Sequence, residues 1–118
     1  MRKRFVMLLT AMAMSGAASA SQTCYVDIIN DGQDSVAAVD SSASGQTAWT
    51  PLNLGGVLQG GYAGQATVSF RTDQRRLYNL LVRFVDGRIL EIVKVDVCRQ
   101  RALYIGRTWA RAIQHQEH

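Results

Sequence analysis

Few side chains in this chain of 118 residues belong to the types that carry out enzyme chemistry. There are two cysteines, Cys24 and Cys98, and two histidines, His115 and His118, which stand among the last four residues. A nucleophilic cysteine or serine needs a base beside it, usually a histidine. Both histidines follow the part of the chain that is expected to fold. The composition therefore argues against a thiol or serine hydrolase, and we predict no catalytic residue.

Acidic side chains offer a second kind of chemistry, either metal binding or hydrolysis by a pair of carboxylates. The first half of the chain contains Asp27, Asp31, Asp34 and Asp40. These aspartates lack the regular spacing of a calcium loop, and aspartate favours turns, so turn formation explains them better. The polar terminus with His115, Glu117 and His118 has nothing to order it for a metal. No metal or cofactor is predicted, and a carboxylate-pair hydrolase stays open although no pair stands out.

The N-terminus has the three parts of a secretory signal peptide. Residues 2–4 are basic, residues 5–14 are apolar apart from one threonine, and Ala-Ser-Ala at 18–20 fits the small-x-small cleavage pattern. The apolar run is shorter than the roughly 20 residues that span a bilayer. No lipoprotein box precedes Cys24, so no membrane anchor is expected after cleavage. We predict a periplasmic or secreted protein of residues 21–118.

In an exported chain, two cysteines are most simply a disulfide, and we predict a bond between Cys24 and Cys98. The bond would close a loop of 74 residues. The chain-entropy model assigns about 4.5 kcal/mol to a loop of that length. This is a large share of the roughly 5–15 kcal/mol that stabilises a small domain.

Charge divides the chain into two unlike halves. Removal of the predicted signal peptide leaves ten basic and nine acidic residues, so the basic isoelectric point of the precursor is no argument for nucleic-acid binding. Residues 21–70 contain four aspartates and no lysine or arginine, whereas residues 71–118 contain all ten basic residues and five acids. Such asymmetry marks an oriented binding surface, unless strands from the two halves interleave and mix the charges.

Short β-like runs separated by turn residues fill the mature chain. We predict strands over residues 23–30, 35–39, 64–71 and 102–105, and a hairpin over 77–98. Six or seven short strands without an internal helix predict an all-β fold, a small antiparallel β-sandwich that is immunoglobulin-like or a partly open barrel.

The expected organisation is a signal peptide at 1–20, a sandwich domain at 21–106 and a C-terminal tail at 107–118. In the tail, Thr108 is predicted to cap a short helix. This helix either docks on the sandwich through Trp109 or contacts a partner, and docking is favoured because it buries an aromatic ring.

The hairpin carries the clearest pattern. Asp86-Gly87 predicts a two-residue type I′ turn, which pairs Phe84 with Ile89, Val82 with Glu91, Leu80 with Val93, and Tyr78 with Val95. The expected core is Leu80, Val82, Phe84, Val93 and Val95, with Val26 and Val68 facing it.

The opposite face of the hairpin carries cations with leucines between them: Arg83, Arg88, Lys94, Leu81 and Leu90. Apolar residues rimmed by cations suit an acidic protein partner. This face is therefore the predicted binding surface. Trp49 and Tyr62 offer rings for stacking on a sugar, although a place in the core explains Trp49 better.

Several motifs follow one another in a characteristic order. They are an Asn-x-Gly turn at Asn30, Trp49 followed by Asn53-Leu54, the hairpin run at 78–88, and Val-Asp-Val-Cys at 95–98. In these features the chain resembles a group of small exported β-sandwich proteins of proteobacteria whose function is not assigned. The resemblance covers residues 24–105. It implies an exported location and a sandwich fold, and it supplies no activity.

These observations favour a non-enzymatic interaction domain of the bacterial envelope that binds a protein partner. The alternatives are a hydrolase that acts on envelope polymers and a carbohydrate-binding module that uses Trp49 or Tyr62.

Cleavage after Ala20 has a direct test. N-terminal sequencing of the exported protein should begin at Ser21, because the small residues at 18 and 20 fit the signal peptidase site. Recovery of the protein from the cytoplasm with Met1 retained would contradict the export prediction.

Overall fold

A computed structural model describes residues 22–72 and 76–116 of the chain, so the predicted signal peptide lies outside the described residues. The elements are β1 (Gln22–Asn30), β2 (Val36–Ala43), β3 (Thr50–Pro51), β4 (Gly64–Thr72), β5 (Leu77–Phe84), β6 (Ile89–Asp96), β7 (Ala102–Tyr104) and α1 (Ile105–Gln116). The short strand β3 was not predicted, and β2 is longer than predicted because its polar C-terminal half pairs with β5.

The strands form two sheets that enclose one apolar core. The three-stranded sheet has the order β4-β1-β7, and the four-stranded sheet has the order β3-β2-β5-β6. The predicted all-β sandwich is confirmed. One pair departs from the antiparallel rule: β7 runs parallel to β1, because the chain reaches it from the other sheet and not through a hairpin.

Strands β1 and β4 show the period-2 pattern that the sequence indicates. Val26 and Ile28 of β1 and Val68 and Phe70 of β4 lie on the interior side of the sheet, with Val26 opposite Val68, and all four are buried. Successive side chains of a strand point to opposite faces, so the residues between them are more exposed.

The hairpin between β5 and β6 forms with a different turn from the one predicted. The N–H of Gly87 donates to the carbonyl of Phe84 at 2.9 Å, and the N–H of Phe84 donates to the carbonyl of Arg88 at 2.9 Å. Gly87 has a φ of 95°, whereas Asp86 does not have the positive φ that a type I′ turn requires. The connection is therefore a three-residue loop with a bulge at Gly87.

The longer loop shifts the register by one residue and turns β6 over. Val82 pairs with Leu90 instead of Glu91, and Leu80 pairs with Ile92 instead of Val93. The predicted faces of β6 are wrong here, since a slip of one residue moves a side chain to the other face. Leu90, predicted on the binding face, is 6% exposed, and Val93, predicted in the core, is 58% exposed.

A second bulge restores the predicted register at the end of the hairpin. Lys94 has a φ of 57°, and its N–H donates to Oδ1 of Asn79 at 3.0 Å. The extra residue brings Tyr78 opposite Val95, as predicted, and Val95 is buried. On β5 the predicted core positions are all buried: Leu80, Val82 and Phe84.

The C-terminal helix α1 docks on the sandwich. The Trp109 ring packs edge-on against Phe84, with 5.3 Å between ring centroids. The predicted docking through Trp109 is thus confirmed, but the predicted cap is wrong. Thr108 lies inside the helix and donates to the carbonyl of Tyr104 at 2.8 Å, while the Asp31 carboxylate accepts the N–H of Gly106 in the first turn.

The side chain of Asn30 is completely buried at the end of β1. Its Nδ2 donates to the carbonyls of Asp34 and Leu58, both at 2.8 Å, and its Oδ1 accepts the N–H of Gly32 at 3.1 Å. One amide group thus holds the loop after β1 against the segment that precedes β4.

The predicted disulfide joins β1 to the turn after β6, and so it links the two sheets. The Cα atoms of Cys24 and Cys98 are 5.1 Å apart. In the described part of the chain, no helix is long and apolar enough to cross a membrane.

Loss of the disulfide should lower the free energy of unfolding. We expect Cys98→Ala to cost about 2–5 kcal/mol in urea denaturation, because the unfolded chain regains its freedom. A reductant should destabilise the wild-type protein by a similar amount and leave the variant unchanged. Equal stability of variant and wild type would contradict the structural role of the bond.

Asn30→Ala should also destabilise the fold strongly. It removes the three hydrogen bonds that the buried amide makes with the backbone of Gly32, Asp34 and Leu58, and we expect a loss of about 1–3 kcal/mol in all. Asn53→Ala is the matched control, since Asn53 Oδ1 accepts the N–H of Gly55 in the same local geometry but on the exposed surface. Thermal or urea denaturation should show a loss of less than about 1 kcal/mol for this control. Similar losses in both variants would contradict the importance of the buried amide.

Candidate functional site

The structure does not bring the five predicted binding residues into one surface. Arg83 and Leu81 lie on the outer face of β5, whereas Leu90 lies in the core between the sheets. Lys94 is at the bulge of β6, and Arg88 stands at the hairpin turn. The register shift separates them, since the predicted face assumed that β6 presents Leu90 on the same side as Arg83.

Arg88 has a structural environment that explains its presence. Its guanidinium lies 5.3 Å from the centroid of the Trp109 ring and 5.8 Å from that of Phe84. It also pairs with the Asp34 carboxylate, and its Nε lies 2.8 Å from Oδ2 of Asp86. These two carboxylates, Asp34 first, raise the pKa of the guanidinium above its ordinary value. Arg88 therefore joins the hairpin to α1 and to the loop after β1.

The pKa of Asp86, the acidic residue of the turn, is shifted in the opposite direction. The N–H of Arg88 donates to Oδ1 of Asp86 at 3.0 Å, and this bond, together with the guanidinium, lowers the pKa of the Asp86 carboxyl. A carboxyl with a lowered pKa stabilises the folded state above its unfolded pKa, and the contribution disappears as the pH falls through the folded value. Asp86 thus holds the hairpin turn in its ionised form.

Each of the four aspartates considered for a calcium site has its own partner. Asp27 accepts a hydrogen bond from the Thr67 hydroxyl at 2.5 Å, Asp40 pairs with Arg83 at 3.3 Å, Asp34 pairs with Arg88, and Asp31 lies 3.6 Å from Arg107. Within residues 22–72 and 76–116, no three metal-ligating side chains of His, Cys, Asp or Glu come together. Three of these aspartates therefore pair with arginines of the second half, and Asp27 pairs with a hydroxyl of the first half.

Trp49 does not fill the core, as the sequence had suggested. Its side chain is 40% exposed, and that of Tyr62 is 84% exposed. Trp49 precedes β3, the edge strand of the four-stranded sheet. Neither ring lines the groove between residues 50–53 and β4.

A groove of about 520 Å³ lies where the two sheets open at one side of the sandwich. One wall is residues 67–71 of β4, and the other is residues 50–53, which include β3. Ser41 and Tyr78 also line it. Its size falls in the range of about 300–1,000 Å³ that is typical of ligand sites.

The backbone of β4 offers hydrogen bonds to this groove. The N–H of Asp27 donates to the carbonyl of Arg101 at 2.8 Å, on the side of β7. Opposite residues of an antiparallel pair either bond to each other or both point away, so Thr67, the partner of Asp27, directs its N–H and C=O away from β1.

Every second residue of β4 directs its backbone N–H and C=O to the same side, and this alternation continues to the end of the strand. The carbonyl of Arg71, four residues after Thr67, accepts the Tyr78 hydroxyl at 3.3 Å from the groove side. Ser69 lies midway between Thr67 and Arg71, so its backbone N–H and C=O must point towards the groove as well. Thr67 and Ser69 therefore present backbone donors and acceptors that no other described strand uses.

The other edges carry features that block pairing with a further strand. Strand β3 has two residues and contains Pro51, β6 carries the bulge at Lys94, and β7 has three residues and leads directly into α1. Strand β4 has nine residues, all paired with β1 without a register shift. It is the one long, regular edge in the part of the chain that the structure describes.

Sequence reasoning missed this site. The alternation in residues 64–71 predicts a strand, but it contains no information on which strand lies beside it. One feature of the sequence could have indicated it: residues 64–71 contain no proline and no charged side chain on the face that points into the core, and a protected edge strand carries such residues. Comparison of the chain with protein-family models, with curated proteins and with solved structures finds no match.

Proposed function

We propose that this chain is an exported, non-enzymatic interaction domain of the bacterial envelope, and that it binds an extended segment of a partner protein by strand addition to β4. The open edge of β4 beside the groove is the observation that carries the proposal. An extended peptide that joins a sheet edge gains main-chain hydrogen bonds, and pockets for alternate side chains give it specificity.

The two features of the site support one another. Backbone groups of Thr67 and Ser69 supply the ladder, and the groove supplies space for the side chains that a new strand would direct inwards. An edge without a groove, or a groove without an edge, would fit many other ligands. Their combination favours an extended polypeptide.

A binding role fits the carboxylates better than a hydrolytic one. A retaining or inverting glycosidase needs two carboxyl groups on either side of the scissile bond. Here Asp34 and Asp40 pair with arginines, and Asp27 pairs with a hydroxyl. None of the described residues that line the groove carries a carboxylate.

An exported location rests on the signal-like N-terminus and on the disulfide, since disulfides persist in oxidising compartments. The resemblance to small exported β-sandwich proteins of proteobacteria agrees with that location. We place the protein in the periplasm or outside the cell.

Carbohydrate binding is the second candidate, because Trp49 and Tyr62 are exposed aromatic rings. Such rings stack on sugars when they share a surface. Trp49→Ala separates the two functions, since this change leaves the β4 edge intact.

Ser69→Pro tests strand addition. Peptides selected from a random dodecapeptide library against the mature protein should bind the variant about tenfold more weakly, because proline removes one donor and obstructs the added strand. Its N–H faces the groove, so the pairing of β4 with β1 should persist in the circular dichroism spectrum. Fluorescence anisotropy with the synthesised peptides measures the affinities.

Glu91→Pro is the matched control on another edge. Phe84 bonds to Arg88 across the hairpin, so by alternation Glu91 points its N–H to the open side of β6. This variant and Trp49→Ala should bind the peptides as the wild type does. Peptides that bind Ser69→Pro without loss would contradict the proposal, and glycan binding lost in Trp49→Ala alone would favour the carbohydrate function.

A further inference from the structure

We infer that the segment added to β4 carries an acidic side chain opposite Arg71 and apolar side chains at the two positions that enter the groove. This inference rests on the proposed strand addition and specifies the chemistry of the partner. It follows from the side chains that β4 presents on its two faces.

The inner face of β4 is apolar at the groove. Val68 and Phe70 are buried, and the Phe70 ring packs against that of Tyr78 with 4.9 Å between centroids. Leu52, from the opposite wall, is partly buried against the same core. Residues of an added strand that lie opposite Val68 and Phe70 would share this face, so burial of apolar side chains there is favourable.

The outer face of β4 is polar. Thr67 and Ser69 are exposed, and the Thr67 hydroxyl is bonded to Asp27. Residues of an added strand opposite these two would face solvent, so we expect polar or β-branched side chains such as threonine. The partner sequence should therefore alternate between apolar and polar residues.

Arg71 supplies the charge that fixes the register. Among the described residues that line the groove, Arg71 is the charged one, and its side chain lies on the exposed outer face of β4 beside the groove. Arg76, Arg83, Arg88 and Arg107 each form an ion pair with an aspartate. Arg71 forms no ion pair with any residue that the structure describes. An opposite charge directly across an antiparallel or parallel ladder is favourable, whereas a like charge is unfavourable.

The resulting pattern spans five residues. In an antiparallel arrangement it reads acidic, apolar, polar, apolar, polar from the N-terminus, and in a parallel arrangement the order is reversed. The acid belongs to a side chain within the strand, because Arg71 lies on the outer face beside the ladder and the strand continues to Thr72.

Capped peptides test the acidic position. The probes are Ser-Glu-Val-Thr-Val-Thr-Ser and the reversed sequence, both acetylated and amidated so that no terminal charge remains, with Gln and Lys versions of each. The wild-type protein should bind the better Glu peptide about two- to fivefold more tightly than its Gln version, and the difference should shrink at high salt. NMR titration up to millimolar peptide measures the affinities.

Arg71→Glu should reverse the preference, so that the Lys peptide binds more tightly than the Glu peptide. Arg99→Glu makes the same change of charge in the turn after β6, away from the groove, and should keep the wild-type preference. A free-acid Gln peptide should bind no more tightly than its amide. Tighter binding would assign the carboxylate to a chain terminus and overturn the inference.

The outcomes separate this inference from the proposed function. Equal affinities for Glu and Gln peptides, lost together in Ser69→Pro, would overturn the acidic position and leave strand addition intact. Affinities that Ser69→Pro does not change would overturn both. Absence of binding at millimolar peptide would overturn the alternating pattern. Self-association in sedimentation experiments, abolished by Ser69→Pro, would assign the edge to a second copy of the chain and overturn the inference.

Discussion

The buried side chain of Asn30 fixes the arrangement on which the rest of the sandwich depends. A buried amide is costly unless its donors and acceptor are bonded, and here all its partners are backbone groups of two loops. These hydrogen bonds hold the loop after β1 in the conformation seen here. That conformation places Asp34 beside Arg88 and brings Gly32 so close to Gly106 that a side-chain carbon at Gly106 would lie 2.8 Å from the Gly32 nitrogen. The entry of α1, and with it the position of Trp109, follows from this contact.

The two charged halves of the sequence combine into a network of pairs across the fold. Cations of the second half meet aspartates of the first half in three places: Asp34 with Arg88, Asp40 with Arg83, and Asp31 with Arg107. The arginine side chains of these pairs are 46–67% exposed, so each pair adds little to stability. They nevertheless bring charges of the two halves together, so the asymmetry of the sequence does not become two oppositely charged surfaces. Arg71 belongs to none of these pairs and lies beside the groove.

The edges of the two sheets divide the surface into protected and open parts. Exposed edge strands invite pairing with other chains, and natural proteins protect them with prolines, bulges, short strands and covering elements. This molecule has such protection at β3, β6 and β7. At β4 the same chain keeps nine regular residues beside a groove. An open edge of this kind risks aggregation when nothing pairs with it. Its presence at β4 therefore supports the proposal that β4 pairs with a partner.

The sequence by itself determined the elements whose pattern is local. Alternation predicted β1, β4 and β5, two cysteines behind a signal-like N-terminus predicted the disulfide, and the apolar face of the tail favoured docking through Trp109 over contact with a partner. Tertiary structure decided what depends on neighbours. Gly87 selected a three-residue loop, and this one extra residue exchanged the faces of Leu90 and Val93. The groove could not be predicted either, because its walls are residues 50–53 and 67–71, which no local pattern relates. Periodicity records which face of a strand is buried, whereas register and edges arise only when strands distant in sequence pair.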